Sequence, residues 1–360
     1  MKRMKKIFGD VLLLLMVLLP VGCSTIDDDR SDCVDVPPTP PVPPVQEDTL
    51  KLDYELRLVT NMTTELQTSL TTQTDIKVAE ALRTYFSTIF SDFAHDVDLS
   101  FYDTQGDSVR LQHDQHVMDA NQASYTLDLP KRHYMHLAAA NIVDNPVVSL
   151  ANDEYCHQSQ LLQIDADTIG SHTTGLFTAR LPMVVLDNVD QEFNVHLYMA
   201  NCATTLVVDT IGSGIRDMKV YATGFASGFN IADSTYLYKE KPPVIRATQE
   251  ALSVEGGQTF CTVTFPSPET PPTRSVIETE EPFISPEAEN ALWELHVYVT
   301  TADGTVTKNV LYVKTPLRAG QLKVIKAKAF TNGSFESDDR TVAVTVNLNW
   351  DDSSEHDIEL

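Results

Sequence analysis

From Leu50 onward the chain alternates. Leu50, Leu52, Tyr54, Leu56 and Leu58 are separated by Lys51, Asp53, Glu55 and Arg57, and a period of two with polar partners predicts a half-buried β-strand. Between Asp75 and Phe93 the period changes. Ile76, Ala79, Leu82, Phe86, Ile89, Phe90 and Phe93 fall three or four apart behind Thr74 or Asp75 as a cap, which predicts one amphipathic helix. Strand patterns then return at Val97-Leu99-Phe101, after the turn Thr104-Gln105-Gly106-Asp107 at Val109-Leu111, at Tyr125-Leu127-Leu129 ending on Pro130, and over residues 133–142. Leu181 to Val185 and Val195 to Met199 complete the first half.

The pattern restarts at Leu206 to Val208, which places a domain boundary close to Asn201. Met218 to Ala222 and Thr259-Cys261-Val263-Phe265 are strand-like, and a loop of proline and acid follows from Pro266 to Glu287. Trp293-Leu295-Val297-Val299 then leads through Asp303-Gly304 to Asn309-Leu311-Val313, a hairpin with a favoured turn. Leu322 to Ala329 and Val342-Val344-Val346-Leu348-Trp350 close the chain. Many short strands in antiparallel hairpins without a βαβ rhythm predict an all-β protein of two tandem β-sandwiches, at residues 50–200 and 201–360, with one helix inserted in the first.

Residues 1–49 follow neither period. Lys2, Arg3, Lys5 and Lys6 precede an apolar run from Val11 to Leu19 and the exit Pro20-Val21-Gly22-Cys23, the layout of a secretory signal over residues 1–22. The run is shorter than the roughly 20 residues that cross a bilayer. A cysteine directly after Gly22 resembles a lipobox, so Cys23 is the expected site of lipidation, and several acyl chains together make such an attachment effectively permanent. Residues 23–49 contain Asp27-Asp28-Asp29 and then Pro37-Pro38-Thr39-Pro40-Pro41-Val42-Pro43-Pro44. Proline-rich chain holds a polyproline conformation, so this stretch is expected to be a stiff tether.

Charge narrows the possible partners. The 360 residues carry a formal charge of −25. Residues 1–22 hold four basic side chains and one acidic one, so without them the charge becomes −28. Such a balance repels phosphate backbones and disfavours nucleic acid. Cys33, Cys156, Cys202 and Cys261 remain besides Cys23. In an oxidising envelope these four are disulfide candidates, and sequence cannot choose among their three pairings.

Catalytic chemistry has no usable signature here. H-E-x-x-H, a Walker loop and paired CxxC are missing, and Gly224-Phe225-Ala226-Ser227-Gly228 puts its serine one place too late for a nucleophile elbow. No enzyme activity, cofactor or metal is expected. Eight of the ten histidines fall between His95 and His196. His113 and His116, like His133 and His136, are three apart, and on a strand such residues face opposite sides. Exposed scatter is the expectation. Trp293 and Trp350 keep the phase of their apolar neighbours, so both are expected in a core.

At residues 96–142 the segments DVDLSFYD, TQGD, SVRLQ, SYTLDLP and AAANI follow one another. This succession resembles the FimB-type fimbrial anchor family, the fimbrillin-A-associated anchor lipoproteins of Bacteroides-like bacteria. CSTIDDDRSDC, from Cys23 to Cys33, and the ending LRAGQLKVIKAKAF with TVAVTVNLNWDDSSEHDIEL extend the similarity. The resemblance implies transthyretin-like sandwiches, a fimbrial anchor or assembly subunit on the outer membrane and exposed at the cell surface, and fimbrial subunits as partners, joined by β-strand addition. In the shaft proteins that the family resembles, a protease removes the first strand. Here Arg30 is the only basic residue between Cys23 and that strand, and Lys51 and Arg57 lie inside it, so the strand is expected to stay and a partner to engage Val342 to Leu360. The alternative function is a surface glycan-binding lipoprotein, which would need solvent-facing aromatics along a groove.

Overall fold

The computed structural model describes residues 49–59, 70, 74, 76–90, 94–106, 109–117, 124–143, 145–187, 190–210, 214–250, 257–272 and 289–350. In the first half lie β1 (Thr49–Val59), α1 (Ile76–Ile89), β2 (Asp96–Asp103), β3 (Arg110–Val117), β4 (Ser124–Pro130), β5 (His133–Ala140), β6 (Ser149–Ala151), β7 (Leu161–Gln163), β8 (Thr168–Gly170), β9 (Phe177–Val184) and β10 (Glu192–Met199). The second half contributes β11 (Cys202–Thr210), β12 (Ile215–Thr223), β13 (Gly228–Asn230), β14 (Thr235–Leu237), β15 (Val244–Arg246), β16 (Thr248–Glu250), β17 (Gly257–Thr264), β18 (Trp293–Thr301), β19 (Val306–Val313), β20 (Leu322–Ala329), β21 (Phe335–Ser337) and β22 (Val342–Trp350). The protein is all-β with one α-helix among the described residues.

Seven strands of the first half form one sheet in the order β3-β2-β5-β9-β10-β1-β4. It turns a corner where β9 meets β10, because those two pair only through Tyr198 with Thr178 and Met199 with Phe177. Tyr54 of β1 thereby meets Phe101 of β2 and His136 of β5 ring to ring, so the two arms face each other as a sandwich. The alternation in β1 does what its period predicts: Leu52, Tyr54 and Leu56 are buried while Lys51, Asp53 and Arg57 are exposed. α1 presents Val78, Ala79, Leu82, Phe86 and Ile89 to this core. Ile76, counted on the apolar face by its spacing, is 68% exposed, and Val78 takes a core place instead. Thr74 does not cap the helix, since its hydroxyl has no hydrogen-bond partner among the described residues. Asp75 and Phe93 lie outside the described residues.

A five-stranded sheet, β16-β17-β11-β20-β21, comes next. Along β11 the face of Ala203 and Val207 joins the first core, together with Cys261, Val263, Leu322 and Val324. The opposite face, Cys202, Leu206 and Val208, packs with Phe260, Ile325 and Ala327 into a second core, which the six-stranded sheet β22-β19-β18-β12-β15-β8 closes. One sheet thus serves two cores. This explains why β11 is apolar at successive positions, as a strand covered on both faces must be. Trp293 is fully buried in the second core, as expected, and its indole N–H donates to the Thr315 carbonyl at 3.0 Å. Gly224 (φ +94°) passes so close to Trp293 that a Cβ would stand 2.8 Å from its Cα, a backbone approach open only to glycine.

Each half repeats one arrangement around its first strand. β1 lies between parallel β10 and antiparallel β4, and β11 between parallel β20 and antiparallel β17. These parallel pairs depart from the all-hairpin expectation, because they join strands that the hydrophobic period identifies singly but cannot order. Asn201 separates β10 from β11, yet strands from both sides of it share sheets. β8 pairs in parallel with β15, and β6 and β7 extend β13 and β14 into a four-stranded sheet. That sheet rests on a third apolar cluster, with Tyr102, Leu137, Leu162, Phe229 and Phe265.

Candidate assembly edges

If partners join by strand addition, as the family resemblance implies, the relevant chemistry is which backbone edges are already paired. β1 is paired on both flanks: Leu50 to Tyr54 face Leu129 to Tyr125 of β4, and Tyr54 to Val59 face Phe193 to Tyr198 of β10. Every residue of β1 is thus in at least one ladder, and Asp53 to Glu55 are in both. β22 differs. It pairs with β19 through Val342–Val313 to Val306–Trp350, and among the described strands it has no second neighbour. The other outer strands of the long sheets are short (β8, β16 and β21) or belong to the first sheet (β3 and β4). β3 alternates as Arg110, Gln112, Asp114 and His116 against Leu111, His113, Gln115 and Val117, a polar make-up that suits an edge facing water.

β1 is also tied across its sandwich. His136 is wholly buried, stacked on Phe101 with ring centroids 4.2 Å apart. Its Nδ1 lies 3.1 Å from the Ser100 carbonyl, which can only accept, so that nitrogen carries the proton. Nε2 is then the acceptor, and the Tyr54 hydroxyl donates to it at 2.5 Å. Burial pushes the His136 pKa down to about 4, the Ser100 bond opposing only in part, so the ring is neutral as this pattern requires. His172, equally buried, is pushed to about 3 by burial, and neither ring nitrogen has a hydrogen-bond partner among the described residues. These two correct the expectation of scattered exposed histidines: a strand residue that faces inward is buried whatever its type. His113 instead lies 2.7 Å from Asp98 in a partly exposed pair. The described residues contain no group of three or more His, Cys, Asp or Glu placed to hold a metal.

Residues 60–282 match the model of the family described as fimbrillin-A associated anchor proteins Mfa1 and Mfa2. The chain belongs to this family. The match to the fimbrillin-A associated anchor proteins runs from before α1 to beyond β17, more than half of the sequence, and leaves β1 and β18 to β22 outside it. No curated protein sequence matches. Among solved structures this anchor-family chain is similar to a candidate cell adhesion protein of Bacteroides eggerthii, with a TM-score of 0.49 and 10% identity over 84% of this chain and 96% of that one. A candidate adhesin of Bacteroides ovatus gives 0.48 and 10% over 84% and 95%. A fimbrial assembly protein of Parabacteroides distasonis gives 0.40 and 11% over 83% and 100%.

In this member of the anchor family, Cys23 and Cys33 lie outside the described residues. Cys156, buried before the short 3-10 turn His157–Ser159, is disulfide-bonded. Cys202 and Cys261 are buried, and neither is in a disulfide. They sit on neighbouring strands but face different cores, because Cys261 lies opposite Thr205, and Thr205 points to the other side of the sheet from Cys202. Burial also raises the Cys202 pKa well above the ordinary thiol value. Ser227 of the glycine-flanked pentapeptide is a structural residue that donates to the Leu237 carbonyl at 3.2 Å. The Tyr54–His136 tie escapes sequence reasoning, since nothing in either strand reports what faces it across the core.

Proposed function

We propose that this chain is the membrane-anchoring subunit of a fimbria. The signal at residues 1–22 is removed, a lipid on Cys23 holds the protein to the outer membrane, and the tether of residues 23–49 carries the sandwiches of residues 50–200 and 201–360 outward. A partner subunit adds a strand to β22, whose outer flank has no paired strand among the described residues, and engages the residues up to Leu360. No catalytic step belongs to this role.

The observation that carries the reading is the contrast between the two terminal strands. β1 is paired on both flanks, buries Leu52, Tyr54 and Leu56, and is fastened to His136. Its removal would strip one wall from the first core, whereas β22 is paired on one flank only among the described strands. In strand addition, main-chain hydrogen bonds supply affinity and alternate side chains supply selectivity. Lys51 and Arg57, the basic residues of β1, lie within paired backbone, which resists entry into a protease site.

N-terminal analysis of the chain recovered from assembled fimbriae tests the proposal. A mature protein that begins at lipid-modified Cys23 supports it. A terminus at or beyond Leu52 would mean that β1 is discarded and would make the chain a shaft subunit.

A further inference from the structure

The chain is strongly acidic, yet one end of the six-stranded sheet is not. A pocket of about 480 Å³ opens there, lined by Arg216, Lys219, Tyr298, Gly304 and Val306, with Asp217 as the one acid in its lining. Lys308 adds a third cation beside it, with its ammonium 5.9 Å from the centroid of the Tyr298 ring. A cationic hollow with an aromatic side chain suits a carboxylate-rich peptide.

The register of the sheet brings such a peptide to the same place. Val306, a lining residue, is paired with Trp350, the last residue of β22. The next ten residues, Asp351 to Leu360, contain Asp351, Asp352, Glu355, Asp357 and Glu359 and no Lys or Arg. β22, β19, β18 and β12 are successive neighbours, so the strand that carries Lys219 is three spacings, about 14 Å, from β22. Five extended residues span about 17 Å. Acids between Asp351 and Asp357 can therefore reach Arg216 and Lys219 with β22 left fully paired.

We propose that this pocket seats an acidic peptide segment, and that the segment is residues 351–360 of the same chain. A segment joined to its site by so few residues acts at a local concentration in the millimolar range, far above that of a second copy in solution. The contact is a set of exposed ion pairs, each weak and open to screening, so it weakens as salt rises. The inference stands on the pocket and on the charge of this segment, and does not depend on the anchor reading.

Zero-length carbodiimide coupling of the full chain, followed by peptide mass spectrometry, tests it. The ion pair between Lys328 and Asp338, 3.2 Å apart, reports that the chemistry works. The expected result is an amide between Lys219 or Lys308 and a carboxylate from 351–359. Its yield should drop several-fold in about 1 M salt, where the Debye length is near 3 Å, and again in Arg216→Glu, a change at a side chain that carbodiimide cannot couple. Mixed chains with and without ¹⁵N separate the occupants, and cross-linked peptides should carry a single label. Mixed-label products would assign the pocket to a second copy and overturn the proposal. So would coupling of Lys328 to Asp338 without any product from 351–359, or a product indifferent to both salt and Arg216→Glu.

Discussion

At the scale of the residue, two buried histidines make the fold sensitive to acid. His136 and His172 have pKa values near 4 and 3 in the folded chain against about 6.5 when unfolded. Between those values the unfolded chain binds more protons, so stability is complete above about pH 6.5 and falls as pH drops towards the folded values. Each histidine can contribute up to about 1.4 kcal/mol per pH unit over its window. Urea denaturation at pH about 7.5 and about 5 should therefore show a marked loss at the lower pH, reduced in His172→Leu, which removes one proton site and two unpartnered ring nitrogens. Tyr54→Phe should cost about 1–3 kcal/mol at neutral pH, since it leaves the Nε2 acceptor of His136 buried without its donor. An acid response unchanged by His172→Leu would show that other groups govern it. The sequence marks neither histidine as buried, because burial here follows from which sheet face points inward and from what stands opposite.

At the scale of the element, legibility follows length and contrast. β1, α1, the β18–β19 hairpin and β22 are visible because eight or more residues keep one period and their polar faces are distinctly polar. β3 is only partly visible: Val109-Leu111 marks its start, but the polar run His113 to His116 conceals a strand that continues to Val117. The three-residue strands β6, β7, β8, β13, β14, β15, β16 and β21 are too short for a period to form, and with them went the four-stranded sheet and the link from β8 to β15. Of the assembly edges, sequence gives the identity of the two terminal strands but not their neighbours, since pairing is long-range. The cysteines illustrate the same limit. Cys202 and Cys261 are near in the sheet yet belong to different cores. Intact protein treated with a maleimide should leave both unmodified, and both should react once denaturant exposes them. Rapid labelling of either in the folded chain would contradict their burial.

At the scale of the whole molecule, the proposed lipid on Cys23 would decide where the protein works. Cys23→Ala should move the chain from the membrane fraction to the soluble fraction of the envelope, with the acid response of its fold unchanged; persistent membrane association would remove the lipid from the account. The five-stranded sheet has a mechanical consequence. Because β11, β17 and β20 give one face to each core, opening either core uncovers an apolar face of the wall that the other core shares. A fimbria under flow tugs on its base, and a tug applied between residues 49 and 350 would meet one fastening where a string of separate beads would offer two. Single-molecule stretching between those points should record one rupture that releases the described chain together; two well-separated ruptures, each of about half the contour length, would show that the halves yield independently. On the anchor reading, a base built this way would give nothing below its breaking force and would have no half-extended state in which to linger.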